Sequence, residues 1–307
     1  MDLGWLDVLL LRAGYNSAVV VLGAALLGGA AGTIGAFVLL RKRILISDAI
    51  SHATLPGVAL AFLLCLAWTG EGRRLEWLLV GAGVSGALGV LLVQGIKDHT
   101  RLPEDSAIAT VLSLFFGLGV VLLSYIQALP VGGQAGMGSF LLGAAATLNR
   151  DEAELIGFAA LAVVGLALLL AKEFGLLCFD AGYAASRGWP VKRLDLLLLA
   201  LLLTVVCIGL KTVGLILVVA LVTMPPVAAR FCTHRLGWMV ALSGAIGALA
   251  AWVGAAASSV LPRLPTGGVI VLAAASLLIV SLILGPARGL PARLRRRALP
   301  CPAPKIS

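Results

Sequence analysis

The chain has 307 residues, 61% of them apolar and only 12% charged, with a formal net charge of +9. A soluble domain carries about 25% charged residues, so this composition excludes an ordinary soluble enzyme, and the mean hydropathy of +1.09 places the chain among polytopic membrane proteins. The positive charge does not mark a nucleic-acid binder, because the Lys and Arg residues sit in short segments between apolar runs, where membrane topology puts them.

The apolar runs are about 20 residues long, the length of a membrane-spanning helix. Met1 to Leu10 contains Asp2 and Asp7 and no basic residue, so no cleavable leader is expected. The first span, Asn16 to Leu40, is rich in glycine (Gly23, Gly28, Gly29, Gly32, Gly35), which lets helices approach closely. Arg41-Lys42-Arg43 ends it. The second span reaches about Trp68 and is expected to break at Pro56-Gly57. A polar loop at 70–76 leads to the third span, Trp77 to Ile96, and a second loop, Lys97 to Asp105, to the fourth, Ser106 to Ala128. Leu129 to Asp151 mixes glycine, polar and apolar residues, and its part at 139–148 reads as a short interfacial or re-entrant helix, too short to cross.

The fifth span is Ala153 to Ala171, followed by the polar segment Lys172 to Arg193. The apolar tract Leu194 to Phe231 is too long for one crossing. Gly209, Lys211 and Gly214 mark a turn that divides it into spans six and seven, and Met224-Pro225-Pro226 is expected to break the latter. Gly237 to Val260 and Gly267 to Leu284 complete the set. The expected fold is therefore all-α: a polytopic bundle of about nine transmembrane helices, or eight, embedded in lipid. Residues 1–285 form one transmembrane domain, and 286–307 a basic, proline-rich cytoplasmic tail that reads as disordered. Nine crossings with the N-terminus outside and the C-terminus inside put seventeen of the twenty-three Lys and Arg residues on the inner side. Cys65, Cys178, Cys207, Cys232 and Cys301 are scattered without a CxxC and read as free thiols.

Asp48 and His52 stand four residues apart inside the second span, hence on one helix face. His52 lies nine residues beyond Arg43, about 13 Å along a helix and so near mid-bilayer. Pro56 removes the usual helical partner of the His52 carbonyl. An ionisable pair at membrane depth either braces two helices or lines a transport path, and the second is the more frequent role. Carboxylate plus imidazole suits divalent manganese, iron or zinc and suits copper(I) poorly. Two ligands are too few for tight binding; a two-fold dimer would supply four, and weak coordination is what passage requires. The sequence has no HExxH, GxSxG or GxxxxGK[ST], which argues for a transporter subunit and against an enzyme. His99 and His234 fall in loops and read as solvated.

Phe174 to Pro190, FGLLCFDAGYAASRGWP, is longer than a connection between bundle helices needs. Its aromatic residues lie among small and charged ones, which suits a short helix docked in a partner's groove. The expectation is a helix over Leu176 to Pro190, with Asp180 near its start and Gly188 and Pro190 at its end. Phe179, Tyr183 and Arg187 would contact the partner, and Ala184 and Ala185 would permit close approach.

On these residues the chain resembles the membrane permease of the bacterial ABC transporters that import manganese, iron or zinc. Asp48, Ala49, Ser51, His52, Ala53, Leu55, Pro56 and Gly57 carry the first motif. Phe179, Asp180, Tyr183, Ala184, Gly188 and Pro190 resemble the family's cytoplasmic coupling segment. The stretch from Gly214 through Pro225 to Ala228, Ala229 and Arg230 is similar to its late Gly-to-Pro-Ala-Arg segment, except that Pro226-Val227 follows the first proline where small residues are usual. The resemblance covers roughly residues 16–285. It implies a permease of the bacterial plasma membrane that pairs with a second copy or a sister permease. It further implies two ATPase subunits on the cytoplasmic face and an extracytoplasmic metal-binding protein. Asp48 and His52 would line the ion path, the coupling residues would be Phe179, Asp180, Tyr183, Ala184, Arg187 and Gly188, and the metal would be cargo, with no resident cofactor. The Ala53–Gly57 sequence ATLPG is more similar to the manganese and iron branch, manganese standing first. An ABC permease for a metal chelate such as cobalamin or a siderophore, and an ion-coupled secondary carrier, are the competing function classes; no internal repeat of the latter kind is evident.

Overall fold

The computed structural model describes residues 15–69, 75–129, 150–212, 214–260 and 265–289. Every regular element among them is an α-helix: α1 (Tyr15–Leu40), α2 (Leu45–Thr69), α3 (Leu75–His99), α4 (Glu104–Ala128), α5 (Arg150–Leu169), α6 (Ala171–Phe179), α7 (Ala181–Ser186), α8 (Val191–Thr212), α9 (Leu215–Cys232), α10 (Leu236–Val260) and α11 (Thr266–Leu284). Eight of these are long and apolar enough to cross a membrane. α5 and α6 together make a ninth candidate crossing, bent by 63° between Leu169 and Ala171. The expected short helix at 139–148 and the tail from 290 onward lie outside the described residues.

The interior prolines do not break their helices. α2 continues through Pro56, and α9 through Pro225 and Pro226. A helix crossing hydrocarbon has no water to satisfy an opened backbone, so it keeps every other intrahelical bond and tolerates the one each proline removes. The 194–231 tract is two helices, as its length requires, with the turn at Gly214 (φ 85°). Gly209 lies within α8 and not in that turn.

α1 is the centre of the bundle. Val21, Ala30, Ile34 and Phe37 along it are fully buried, and α5, α8, α9 and α10 pack around it. The α1–α10 seam is a close backbone approach. A Cβ at Gly28 would run into the Gly247 carbonyl, and one at Gly247 into the Gly28 carbonyl, so backbone meets backbone there. The Ser243 hydroxyl donates across the same seam to the Gly32 carbonyl at 2.6 Å. A second group, α2 with α3 and α4, is joined to the first through α8 and α9. The outer helices present apolar side chains outward, among them Val80, Val84 and Leu88 on α3, Leu114 and Val121 on α4, and Leu272 and Ile279 on α11. Such a continuous apolar surface is what a bilayer covers. At the C-terminal end, the amides of Ala287 and Arg288 donate to the Phe231 carbonyl at 3.0 and 3.1 Å, so the first residues assigned to the tail fold back on the end of α9.

Candidate metal path and docking segment

α2 holds Asp48 and His52 on one face, and the structure brings them together: His52 Nε2 lies 3.3 Å from Asp48 Oδ1. Their side chains are 21% and 42% exposed for His52 and Asp48 respectively, and Leu45, Leu60 and Leu64 of α2 are exposed as well. The pair therefore opens outward from the single chain. His52 stands about 10 Å along α2 from Leu45 and about 8 Å short of the helix midpoint at Gly57.

Three contacts fix this part of α2. Phe116 of α4 stands edge-on to the His52 ring, with centroids 4.8 Å apart and planes at 77°. Gly119 of α4 lies where a Cβ would meet Leu55 Cβ at 2.8 Å and Pro56 Cδ at 3.3 Å, so α4 rests directly on the proline turn. The Ser85 hydroxyl of α3 donates to the Ala53 carbonyl at 2.6 Å. Phe116 covers one side of the imidazole, and His52 Nδ1 is buried without a hydrogen-bond partner. The polar groups open to a ligand are thus Nε2 and the Asp48 carboxylate. No group of three or more His, Cys, Asp or Glu side chains converges among the described residues, and Asp48 and His52 stand there as two candidate ligands. With metal–ligand bonds of about 2.1 Å, two ligands at right-angle to tetrahedral spacing stand about 3.0–3.4 Å apart. The observed 3.3 Å falls within that bite.

The docking segment differs from the single helix expected over 176–190. α6 ends at Phe179, Asp180 is extended, and α7 is only six residues long. Asp180 is the N-cap of α7 and accepts from the Tyr183 amide at 2.9 Å, a local bond that competes with continuing α6. Arg187 Nε donates to Tyr183 Oη at 3.0 Å, and its guanidinium lies 5.5 Å from the ring centroid. Gly188 ends the segment at φ 81°. Phe179, Tyr183 and Trp189 are exposed, Phe179 at 77%. Ala184, expected to face a partner, is fully buried against the permease itself, because the short helix needs its one small face to lie down on the bundle.

Sequence reading treated Arg41 and Arg43 as topological charges and gave no role to Asp195, Glu104, Phe116 or Gly119. In the structure Arg41 donates to the Leu177 carbonyl and to Asp195 Oδ1, both at 3.0 Å. Arg43 pairs with Asp195 through Nη1 and with Glu104 through Nε at 2.6 Å. Lys97 holds the other Glu104 oxygen at 2.7 Å. An acidic residue at the head of an otherwise apolar run, as in Arg193-Leu194-Asp195-Leu196, was the available signal. The turn after α1 is built for this: Lys42 takes a left-handed φ of 59°, with Arg43 N bonded to Val38 O and Lys42 N to Leu39 O. This is a Schellman ending with lysine where glycine is usual, and it turns Arg41 and Arg43 onto the same carboxylate.

Residues 15–285 match the ABC 3 transport family. The manganese transport system membrane protein of Bacillus subtilis is 42% identical over 288 residues, which cover 92% of this chain and 65% of that protein; the chain thus spans a little under two thirds of this relative's length. The zinc transport system membrane protein of Treponema pallidum is 40% identical over 284 residues, covering 92% of this chain and 93% of its own. A solved structure described as PsaBC from Streptococcus pneumoniae in complex with Fab superposes with a TM-score of 0.79 at 28% identity, covering 95% of this chain and 98% of that one.

Proposed function

The chain belongs to the ABC 3 transport family, and from that premise we propose that it is the membrane permease of an ATP-driven importer of divalent transition-metal ions, manganese first. At the coarser level it is a metal-transport ABC permease and not an enzyme, a multi-pass protein of the bacterial plasma membrane. The observation that carries the proposal is the Asp48–His52 pair, spaced at 3.3 Å for a shared divalent ion and open on one side. The pair is half of a four-ligand site. A second copy, or a sister permease, facing the open side of α2 supplies another carboxylate and imidazole, and the ion passes between the two chains.

The ends of α1, α3 and α6 and the starts of α4 and α8 meet through Arg41, Arg43, Lys97, Glu104 and Asp195. We assign that end of the bundle to the cytoplasm on the distribution of basic residues. Phe179, Tyr183, Arg187 and Trp189 there form the surface that two ATPase subunits grip, since this sequence has no phosphate-binding loop of its own. The opposite face receives the ion from an extracytoplasmic metal-binding protein. Relatives named for manganese and for zinc stand at nearly equal identity, so the metal is assigned on the donor set and the ATLPG segment.

The test is uptake of manganese(II) and zinc(II) by vesicles holding the permease with its ATPase and binding protein. Asp48→Asn, which keeps shape and removes charge, and His52→Ala should each stop uptake while the transporter still assembles. Uptake at the wild-type rate by both variants refutes the site. A saturating excess of zinc that leaves manganese entry unchanged supports the metal assignment, and preferential zinc entry reverses it.

A further inference from the structure

The docking segment is held at both ends by the same turn. On one side, the Leu177 carbonyl accepts from Arg41; on the other, Asp195 accepts from Arg41 and Arg43. α7 lies between these two anchors. Arg43 continues the chain of contacts to Glu104, the first residue of α4. Twelve residues further along α4, about 18 Å, Phe116 stands against the His52 ring and Gly119 lies on Leu55 and Pro56. α4 is one uninterrupted helix between these points. The Arg43 and Asp195 side chains are only 9% and 10% exposed, so water cannot replace their bonds when the segment moves. Either the partners travel together or a buried charge is left unpaired.

We infer that Arg41, Arg43, Asp195 and Glu104 are positioning residues that carry movement of the docking segment into α4 and so to the Asp48–His52 pair. The inference rests on the reading of 176–190 as the ATPase docking segment. The charges lead across the bundle, to the helix that covers His52. A contiguous network of this kind transmits because each link has few alternative partners.

Hydrogen exchange on the whole transporter in lipid nanodiscs, with and without a non-hydrolysable ATP analogue, tests this without any metal. In the wild type, nucleotide should change exchange at residues 176–190 and at 104–119. In Glu104→Gln, which keeps shape and removes the charge that pairs with Arg43 and Lys97, the change at 176–190 should persist while that at 104–119 falls about fivefold or more. If that variant is not recovered, Arg43→Lys keeps the charge, loses the fork that reaches two carboxylates, and should give the same result. An undiminished response at 104–119 in the variant overturns the inference, as does a wild-type response confined to 176–190. No wild-type response at 176–190 removes the docking reading and the inference with it. Manganese(II) uptake by the same wild-type preparation reports on the metal reading alone.

Discussion

At the residue scale, the contacts around His52 are short and directional, and single substitutions separate them. Gly119→Leu places atoms where Leu55 Cβ and Pro56 Cδ already stand, at 2.8 and 3.3 Å from a Cβ. Overpacking of this kind costs about 1–3 kcal/mol, and a lowered thermal unfolding midpoint in detergent should register it. Asp195 shares its carboxylate between two arginines, and Arg43 is buried among acids. Truncating Arg43→Ala leaves Asp195 to Arg41 and Glu104 to Lys97, each with one oxygen unpartnered, and should lower stability by about 1–3 kcal/mol, seen as a lowered thermal unfolding midpoint in detergent. An equal yield and midpoint for Arg43→Ala would show that water reaches the cluster. Lys192 and Asp98 pair at 3.0 Å with Lys192 at 86% exposure, so removing that bridge should leave the midpoint where it is.

At the element scale, α7 divides its residues between two surfaces. Tyr183 and Phe179 face outward, and Ala184 is buried. Tyr183→Ala should therefore weaken ATPase binding by about 2 kcal/mol, roughly 30-fold, with the permease itself unchanged. Titrating purified ATPase against the reconstituted permease measures this, and equal affinities would place the docking surface elsewhere. Ala184→Glu acts differently. It forces a charge into the contact between α7 and the bundle, so the expected outcome is loss of folded protein before any effect on docking. Asp180→Ala removes the cap of a six-residue helix, a change of about 1 kcal/mol, and should loosen the segment enough to weaken the same titration by a smaller factor. The second proline of α9 and the proline of α2 make a related point. Each was expected to break its span, yet each is carried inside a continuous helix, because in hydrocarbon a broken turn costs more than one lost hydrogen bond.

For the whole molecule, the arrangement of helix ends sets the topology. α1, α3 and α6 finish, and α4 and α8 begin, at the end of the bundle where the arginines lie. If the bent pair α5–α6 counts as one crossing, the described residues hold nine candidate crossings, an odd number, so that Tyr15 and Leu284 fall on opposite sides. A reporter fused after Ser307 should read cytoplasmic, and one inserted near Gly72 should read the far side. A C-terminal fusion reading outside would invert the assignment of the docking segment along with it. The α1–α10 seam, where Gly28 and Gly247 leave no space for a side chain, holds the central helix. Gly28→Leu should drive α10 off α1 and abolish recovery of the folded permease.

The sequence by itself settled the class of molecule, nearly all the candidate crossings and the pairing of Asp48 with His52 on one helix face. Apolar run length is dictated by bilayer thickness, and an i, i+4 pair stays on one face in any helix, so both survive without knowledge of neighbours. It also placed Asp180 at a helix start, since an N-cap bond spans only three residues. Three things were decided by tertiary structure alone. Ala184 turns inward, because the segment lies down on its own chain in a way that periodicity does not reveal. Phe116 and Gly119 belong to the site because α4, distant in sequence, crosses α2 at Pro56. Arg41 and Arg43 read as solvent-facing topology signals but bind Asp195, more than 150 residues away. A charge near a membrane boundary has the same local sequence whether it meets water or a buried carboxylate; only the packing of α1 against α8 brings the carboxylate there.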